Sequence, residues 1–302
     1  MGIAERTIVE TQEPAVWGLV GNTPLIPLRG PGRLFLKAEW VNPSGSVKDR
    51  AAREILRAGI RAGELPGRRL LDASSGNTAV GYAMLGAAAG IGVTVCVPSN
   101  ASAERRGLLT AFGAELVETD PLEGSDGAIR RARELAARWP DRYWYADQYG
   151  HAANPRAHYL TTGPEIWRGT GAAVTHVVAG VGTSGTLMGT GRFLKEKRPH
   201  IRAVAVEPDG PFHGLEGLKH MDTAMVPPIY DRALIDETVH VSTEDAEAEV
   251  RALAREEGLF VGWSTGAAVF AARRLLERGA ALVVVIAPDG GQRYLSEIGR
   301  RL

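Results

Sequence analysis

Cysteine is nearly missing from this sequence. Cys96 is the only one among 302 residues, so no disulfide can close within the chain. A reducing compartment, the cytoplasm, is the expected setting. Cys96 lies in Val93-Thr94-Val95-Cys96-Val97, which reads as a buried strand, so its thiol is expected to pack rather than react. Net charge is missing too: 35 Lys and Arg balance 35 Asp and Glu, with no basic block. That argues against nucleic acid or an anionic membrane as the main partner. No apolar run reaches the ~18 residues of a membrane span, and the polar N-terminus lacks the apolar core of a secretory leader. Short-period repeats and low-complexity tails are absent as well.

What is present is a hydrophobic fraction of 44%, enough for a sizeable core, and 37 glycines, which imply many tight loops. Strand-like and helix-like stretches alternate. Residues 34–38, 70–73, 92–97, 115–118 and 143–145 read as strands, with helices near 78–89, 103–112 and 126–139. A loop rich in Gly, Asn and Pro is expected at 150–155 and marks a possible boundary. The rhythm then resumes with strands at 174–179, 202–207 and 281–286 and helices ending near 197, at 244–257 and at 265–278. Residues 208–238 read as irregular. The pattern predicts an α/β fold with parallel sheets covered on both faces. The charges of 244–257 read as a solvated helix face without function.

One stretch organises the rest: Asn42-Pro43-Ser44-Gly45-Ser46-Val47-Lys48-Asp49-Arg50, a loop turning into a helix. Ser46 is expected as N-cap, with Asp49 completing a capping box. Lys48 falls in the first turn, where the helix dipole disfavours an ammonium. Partial burial would favour the neutral amine further, and a neutral amine attacks aldehydes. Read alone, Lys48 more readily reaches into solvent, and it is the rest of the chain that reverses this expectation.

Three more loops carry polar groups. Gly180-Val181-Gly182-Thr183-Ser184-Gly185-Thr186 follows an apolar strand and opens a helix, a natural anion site. It also matches G-x-G-x-x-G, and Glu207, 22 residues beyond Gly185, stands where a ribose-binding acid would, so an NAD-dependent oxidoreductase competes here. Ser74-Ser75-Gly76-Asn77-Thr78 could hold a carboxylate, or be an ordinary capped helix start. Gly262-Trp263-Ser264-Thr265-Gly266 and Pro288-Asp289-Gly290-Gly291-Gln292 could each face a cleft at strand ends.

Taken in order, these motifs resemble the cysteine synthase family, fold-type-II pyridoxal-phosphate (PLP) enzymes, over nearly the whole chain. Gly21-Asn22-Thr23-Pro24-Leu25, Thr161-Thr162-Gly163-Pro164-Glu165 and Arg293-Tyr294-Leu295-Ser296 add to the likeness. The resemblance implies a tryptophan synthase β-like fold. Residues 37–147 would form a smaller, mobile domain, and 1–36 with 148–302 a larger one. It implies that Lys48 bonds the cofactor aldehyde and moves the Cα proton, and that Asn77 meets the ring hydroxyl. Gly182, Thr183, Ser184, Gly185 and Thr186 would cradle the phosphate. Ser74, Ser75, Gly76, Thr78 and Gln148 would hold the substrate carboxylate. The implied reaction is β-replacement on O-acetyl-L-serine or O-phospho-L-serine by a sulfur nucleophile, in a cytoplasmic homodimer with no metal. A cystathionine β-synthase-like enzyme is the nearest alternative, though no regulatory domain or haem segment is recognised.

Some positions depart from the family pattern. Gly290 stands where a serine usually meets the pyridine nitrogen, and Ser264 is expected to substitute. Ser74 replaces a usual Thr, Ala79 a usual Gly, and His151-Ala152 a usual Asn-Pro. Gly214-Leu215-Glu216-Gly217-Leu218-Lys219-His220-Met221-Asp222 is similar to the branch using O-phosphoserine, with Lys219 where an arginine takes the phosphate. A solvated Lys219 is the competing expectation.

Overall fold

Apolar residues on successive positions of one strand set the frame. Leu282, Val284 and Ile286 join one hydrophobic cluster and Val283, Val285 and Ala287 another. A strand apolar on both faces must lie between two layers of helices. In the computed structural model, which describes residues 13–30, 33–74 and 76–301, it does.

The larger sheet has six strands in the order β1 (Leu25–Pro27), β2 (Arg33–Ala38), β10 (Leu282–Ala287), β7 (His176–Gly180), β8 (Arg202–Pro208) and β9 (Glu237–Val241). Only β1 is antiparallel to its neighbour. One face is covered by α9 (Thr243–Ala252) and α10 (Trp263–Glu277), the other by α7 (Thr162–Gly169) and α8 (Gly185–Lys197). The smaller sheet, β5 (Glu115–Thr119), β4 (Val93–Pro98), β3 (Arg69–Ala73) and β6 (Tyr143–Tyr145), is wholly parallel. Helices α2 (Lys48–Arg61) and α3 (Asn77–Ala88) pack on one side through Ile55, Leu56 and Leu85, and α5 (Gly124–Arg138) on the other through Ile129 and Ala132. Among the described residues the other α-helices are α1 (Ala15–Gly18), α4 (Ala103–Ala111), α6 (Ala153–Leu160) and α11 (Leu295–Arg301). Among the described residues no helix is long and apolar enough to cross a membrane.

Cys96 is fully buried on β4 beneath α5, and burial pushes its thiol up to about 12. It is packing, as expected. Two stretches differ from the sequence reading. Residues 153–155, expected in a loop, open α6 instead. Pro155 falls in its first turn, where the missing N–H has no intrahelical carbonyl to meet. The tract expected to be irregular to about 238 ends in β9, whose Thr238 and Val239 pair with Ala205 and Val206 at the sheet edge.

The loops after β2, β3, β7 and β10 all leave the carboxyl ends of parallel strands, where open sheets gather their ligands.

Candidate active site

Lys48 is the first residue of α2, but the expected capping box does not form. Val47 is the N-cap and makes no side-chain cap bond; the Lys48 N–H reaches Ser46 Oγ at 3.3 Å. Gly45, at φ +87°, turns the chain so that Ser44 lies beside the helix start. Asp49 therefore reaches past Ser46 to Ser44, accepting its N–H at 2.7 Å and its hydroxyl. Burial raises the Asp49 carboxyl to about 6 against those bonds. The Val47 N–H donates to the Pro288 carbonyl at 2.8 Å, fastening the loop to the exit of β10.

Behind this helix start lies a buried ion cluster. Arg50 pairs with Glu39 and Glu165 at 2.7 Å each, and Lys37 with Glu165 at 2.6 Å. Burial would raise Glu165, yet Arg50 and Lys37 outweigh it and hold its carboxyl at about 2. The cluster locks α2 onto β2 and α7. Burial also pulls the Lys48 amine below the ordinary lysine range, against the opposing pull of Asp289 and Glu39. A lowered lysine is what nucleophilic or general-base work requires.

Lys48 opens into a cavity of about 320 Å³. The loop between β7 and α8 forms one wall. Gly182 is required there, because a Cβ would sit 2.1 Å from the Gly217 carbonyl oxygen. Ser184 is left-handed at φ +68°, a strain of about 1–2 kcal/mol for a residue with a Cβ. Its buried hydroxyl has no hydrogen-bond partner among the described residues. Thr183 and Thr186 line the same wall, and Gly185 packs just behind it against Asn154. An orphaned hydroxyl in strained backbone at a helix N-terminus fits an anion.

The opposite wall is the loop after β3. Ser74 Oγ accepts the N–H groups of Gly76 and Ala79 at 3.3 and 3.2 Å, so it caps α3 while lining the cavity. Thr78 donates to Gln148 Oε1 at 2.7 Å, and Gln148 Nε2 donates to the Ala73 carbonyl at 2.6 Å. Gly76 lines the cavity with them; Ser75 lies outside the described residues. Asn77 donates to Asp289 Oδ2 at 2.6 Å and leaves its buried Oδ1 without a partner among the described residues. Ser264, the second residue of α10, also faces the cavity.

Lys219 is not solvated. It is 8% exposed, and its Nζ lies 3.1 Å from Asp126 and 5.2 Å from the Tyr149 ring centroid. A second pair, Arg105 with Glu216, also lines the cavity, with Nη2 donating to Oε2 at 2.8 Å. Glu207 does not face the anion loop as a ribose-binding acid would; its Oε2 accepts the Met221 N–H at 3.1 Å and holds the 213–222 loop.

Sequence reasoning missed Asp289, Arg105, Asn154 and His158. The loop of Asp289 was visible, but not that Asn77 and the Tyr294 hydroxyl, at 2.8 Å, would both donate to its carboxylate. Arg105 carries no local signal. Asn154 and His158 became neighbours of the anion loop only when α6 packed on α8.

A buried lysine of lowered basicity, a helix-start loop fit for an anion and a polar loop after β3 share one cavity, and together they fit pyridoxal phosphate and an amino acid. The comparisons agree. Residues 16–289 match the family of pyridoxal-phosphate dependent enzymes. The chain is 46% identical to the cysteine synthase of Aquifex aeolicus over 92% of this chain and 89% of that protein. It is 42% identical to cysteine synthase B of Pseudomonas aeruginosa, over 94% and 97%. The crystal structure of an Entamoeba histolytica cysteine synthase superposes with a TM-score of 0.90 at 33% identity, over 100% and 95% of the two chains. With most of its length shared at these identities, the chain belongs to the cysteine synthases, within the pyridoxal-phosphate dependent enzymes.

Proposed function

We propose that this protein makes L-cysteine by β-replacement on O-acetyl-L-serine or O-phospho-L-serine. The observation that carries the reading is the Lys48 amine, lowered by burial and opening on the same cavity as the anion loop and the loop after β3. Bound pyridoxal phosphate supplies the electron sink for the carbanion at Cα. Lys48 would hold the cofactor through its amine and, with substrate bound, would take the Cα proton and return it at the end. Its depressed pKa suits both directions. Thr183, Ser184 and Thr186, with Gly182 and Gly185 allowing close approach, bind the phosphate. Asn77, oriented by Asp289, meets the ring hydroxyl, and Ser264 meets the pyridine nitrogen. Ser74, Ser75, Gly76, Thr78 and Gln148 hold the substrate carboxylate.

Residues 37–147 act as the smaller, mobile domain and 1–36 with 148–302 as the larger, in a cytoplasmic homodimer. The fact that β3, β4, β5 and β6 form a sheet of their own supports that division. A sulfur nucleophile takes the place of the leaving group at Cβ; with sulfide the product is L-cysteine itself. Lys219, one of the buried cations lining the cavity, takes the leaving group when that group is phosphate.

Borohydride reduction followed by peptide mass spectrometry tests the core of this reading. A pyridoxyl adduct on Lys48, absent from Lys48→Ala, is expected; an unmodified Lys48 would remove the assignment. For the donor, Lys219→Ala should lower kcat/KM for O-phosphoserine at least about tenfold more than for O-acetylserine, the effect of ~1.4 kcal/mol of charge interaction. Equal losses would take Lys219 out of donor choice. Ser264→Ala with an unchanged cofactor spectrum and rate would take Ser264 off the pyridine nitrogen.

A further inference from the structure

Helix α6 presents two buried polar side chains, one turn apart, to the back of the anion loop. Asn154 is 2% exposed; its Nδ2 donates to Thr183 Oγ1 at 3.1 Å and to the Gln148 carbonyl at 2.7 Å. His158 is fully buried, with Nδ1 2.9 Å from Thr162 Oγ1 and Nε2 3.2 Å from Thr186 Oγ1. Both contacts need α6 and α8 unusually close. A Cβ on Gly185 would sit 2.0 Å from Asn154 Oδ1, and one on Gly189 2.0 Å from the Pro155 carbonyl oxygen.

We infer that Asn154 and His158 are positioning residues for the cofactor phosphate: each donates to a threonine hydroxyl from behind, so that the hydroxyl's own proton is aimed into the cavity. The inference rests on the pyridoxal-phosphate reading and adds to it a layer of side chains that never touch the cofactor. An amide NH₂ only donates, so Thr183 must accept from Asn154 and keeps its proton for a second partner. Burial, helped by Arg50, holds His158 down at about 3, so its ring is neutral and carries one proton. A neutral imidazole can donate from only one nitrogen. With that proton on Nε2, Thr186 is oriented as Thr183 is, and Thr162 donates to Nδ1. Two prealigned O–H donors then meet the phosphate without reorganisation.

The competing possibility is that the two side chains merely stitch α6 to α8. Titrating the apoprotein with pyridoxal phosphate and with pyridoxal, which lacks the phosphate, separates the two. Glutamine places its amide nitrogen near the position of Nε2, asparagine near that of Nδ1. His158→Asn should therefore lose about tenfold or more in affinity for pyridoxal phosphate, as for a hydrogen bond to a charged group, with pyridoxal little changed. His158→Gln should stay close to wild type for both. Parallel losses for both ligands, or equal behaviour of the two variants, would overturn the inference while leaving the cofactor assignment standing. A wild-type apoprotein that takes up neither ligand would overturn both. Should the variants not fold, the ¹⁵N imidazole shifts of His158 in the wild-type protein decide: a proton on Nε2 supports the inference and a proton on Nδ1 refutes it.

Discussion

Asp72, at the end of β3, accepts the N–H groups of Ala73 at 2.8 Å and Gln148 at 3.2 Å. It thereby pins the segment carrying Gln148 against the loop after β3. Burial pushes its carboxyl from the ordinary 3.8 to about 7, against the pull of those bonds. Between these values the folded protein binds more protons than the unfolded chain, so this group's contribution falls as pH rises from about 4 to 7 and is constant above. A shift of that size corresponds to at most about 4 kcal/mol. Asp72→Asn cannot ionise. In urea unfolding across that range the variant should gain on the wild type as pH rises and then run parallel to it. A pH-independent difference would mean that Asp72 does not titrate there. At this scale Lys48 was legible only in part: a first helix turn disfavours an ammonium, but the burial that lowers its amine comes from tertiary packing. Asp72 and Asp289 were not, because an acid in a strand or loop announces neither its burial nor its partners.

Between elements, the fit of α6 against α8 depends on glycine. Gly189→Ala drives a methyl group onto the Pro155 carbonyl, 2.0 Å away. Overpacking of this kind costs roughly 1–3 kcal/mol, so melting should fall by about 2–5 °C. Gly107, exposed on α4, is the contrast: its added Cβ meets nothing within 4 Å. Gly107→Ala should raise stability by about 0.5–1 kcal/mol, the helix-propensity difference. Calorimetry of the two variants checks both signs. Most elements were readable from apolar periodicity. α6 was misread because Asn154 and Pro155 carry loop signals that a helix first turn tolerates, and β9 because an edge strand of five half-polar residues has a weak alternation.

Across the molecule, the ion pairs Arg105–Glu216 and Lys219–Asp126 join helices α4 and α5, which flank the smaller sheet, to the 213–222 loop that Glu207 of the larger sheet holds. Arg105 is 5% exposed and so depends on its partner more than a surface arginine would. In Glu216→Gln the amides of α4 should exchange with deuterium several-fold faster, while those of β7 and β10 stay protected. Unaltered exchange in α4 would show that the pair does not restrain this half. Breaking the buried Arg50 cluster is a different matter. Arg50→Ala leaves Glu39 fully buried without its main partner and should cost about 3–5 kcal/mol in denaturant unfolding.

By itself the sequence determined the α/β class and the strand-to-helix loops, since strand period, helix starts and turn residues are properties of neighbours along the chain. Only the tertiary structure decided that Asn77 would rest on Asp289, 212 residues away, that Arg105 would find Glu216, and that Glu207 would hold a loop instead of a ribose. Those contacts come from the packing of two sheets and the loops at their carboxyl ends. No local pattern encodes which buried donor meets which buried acceptor.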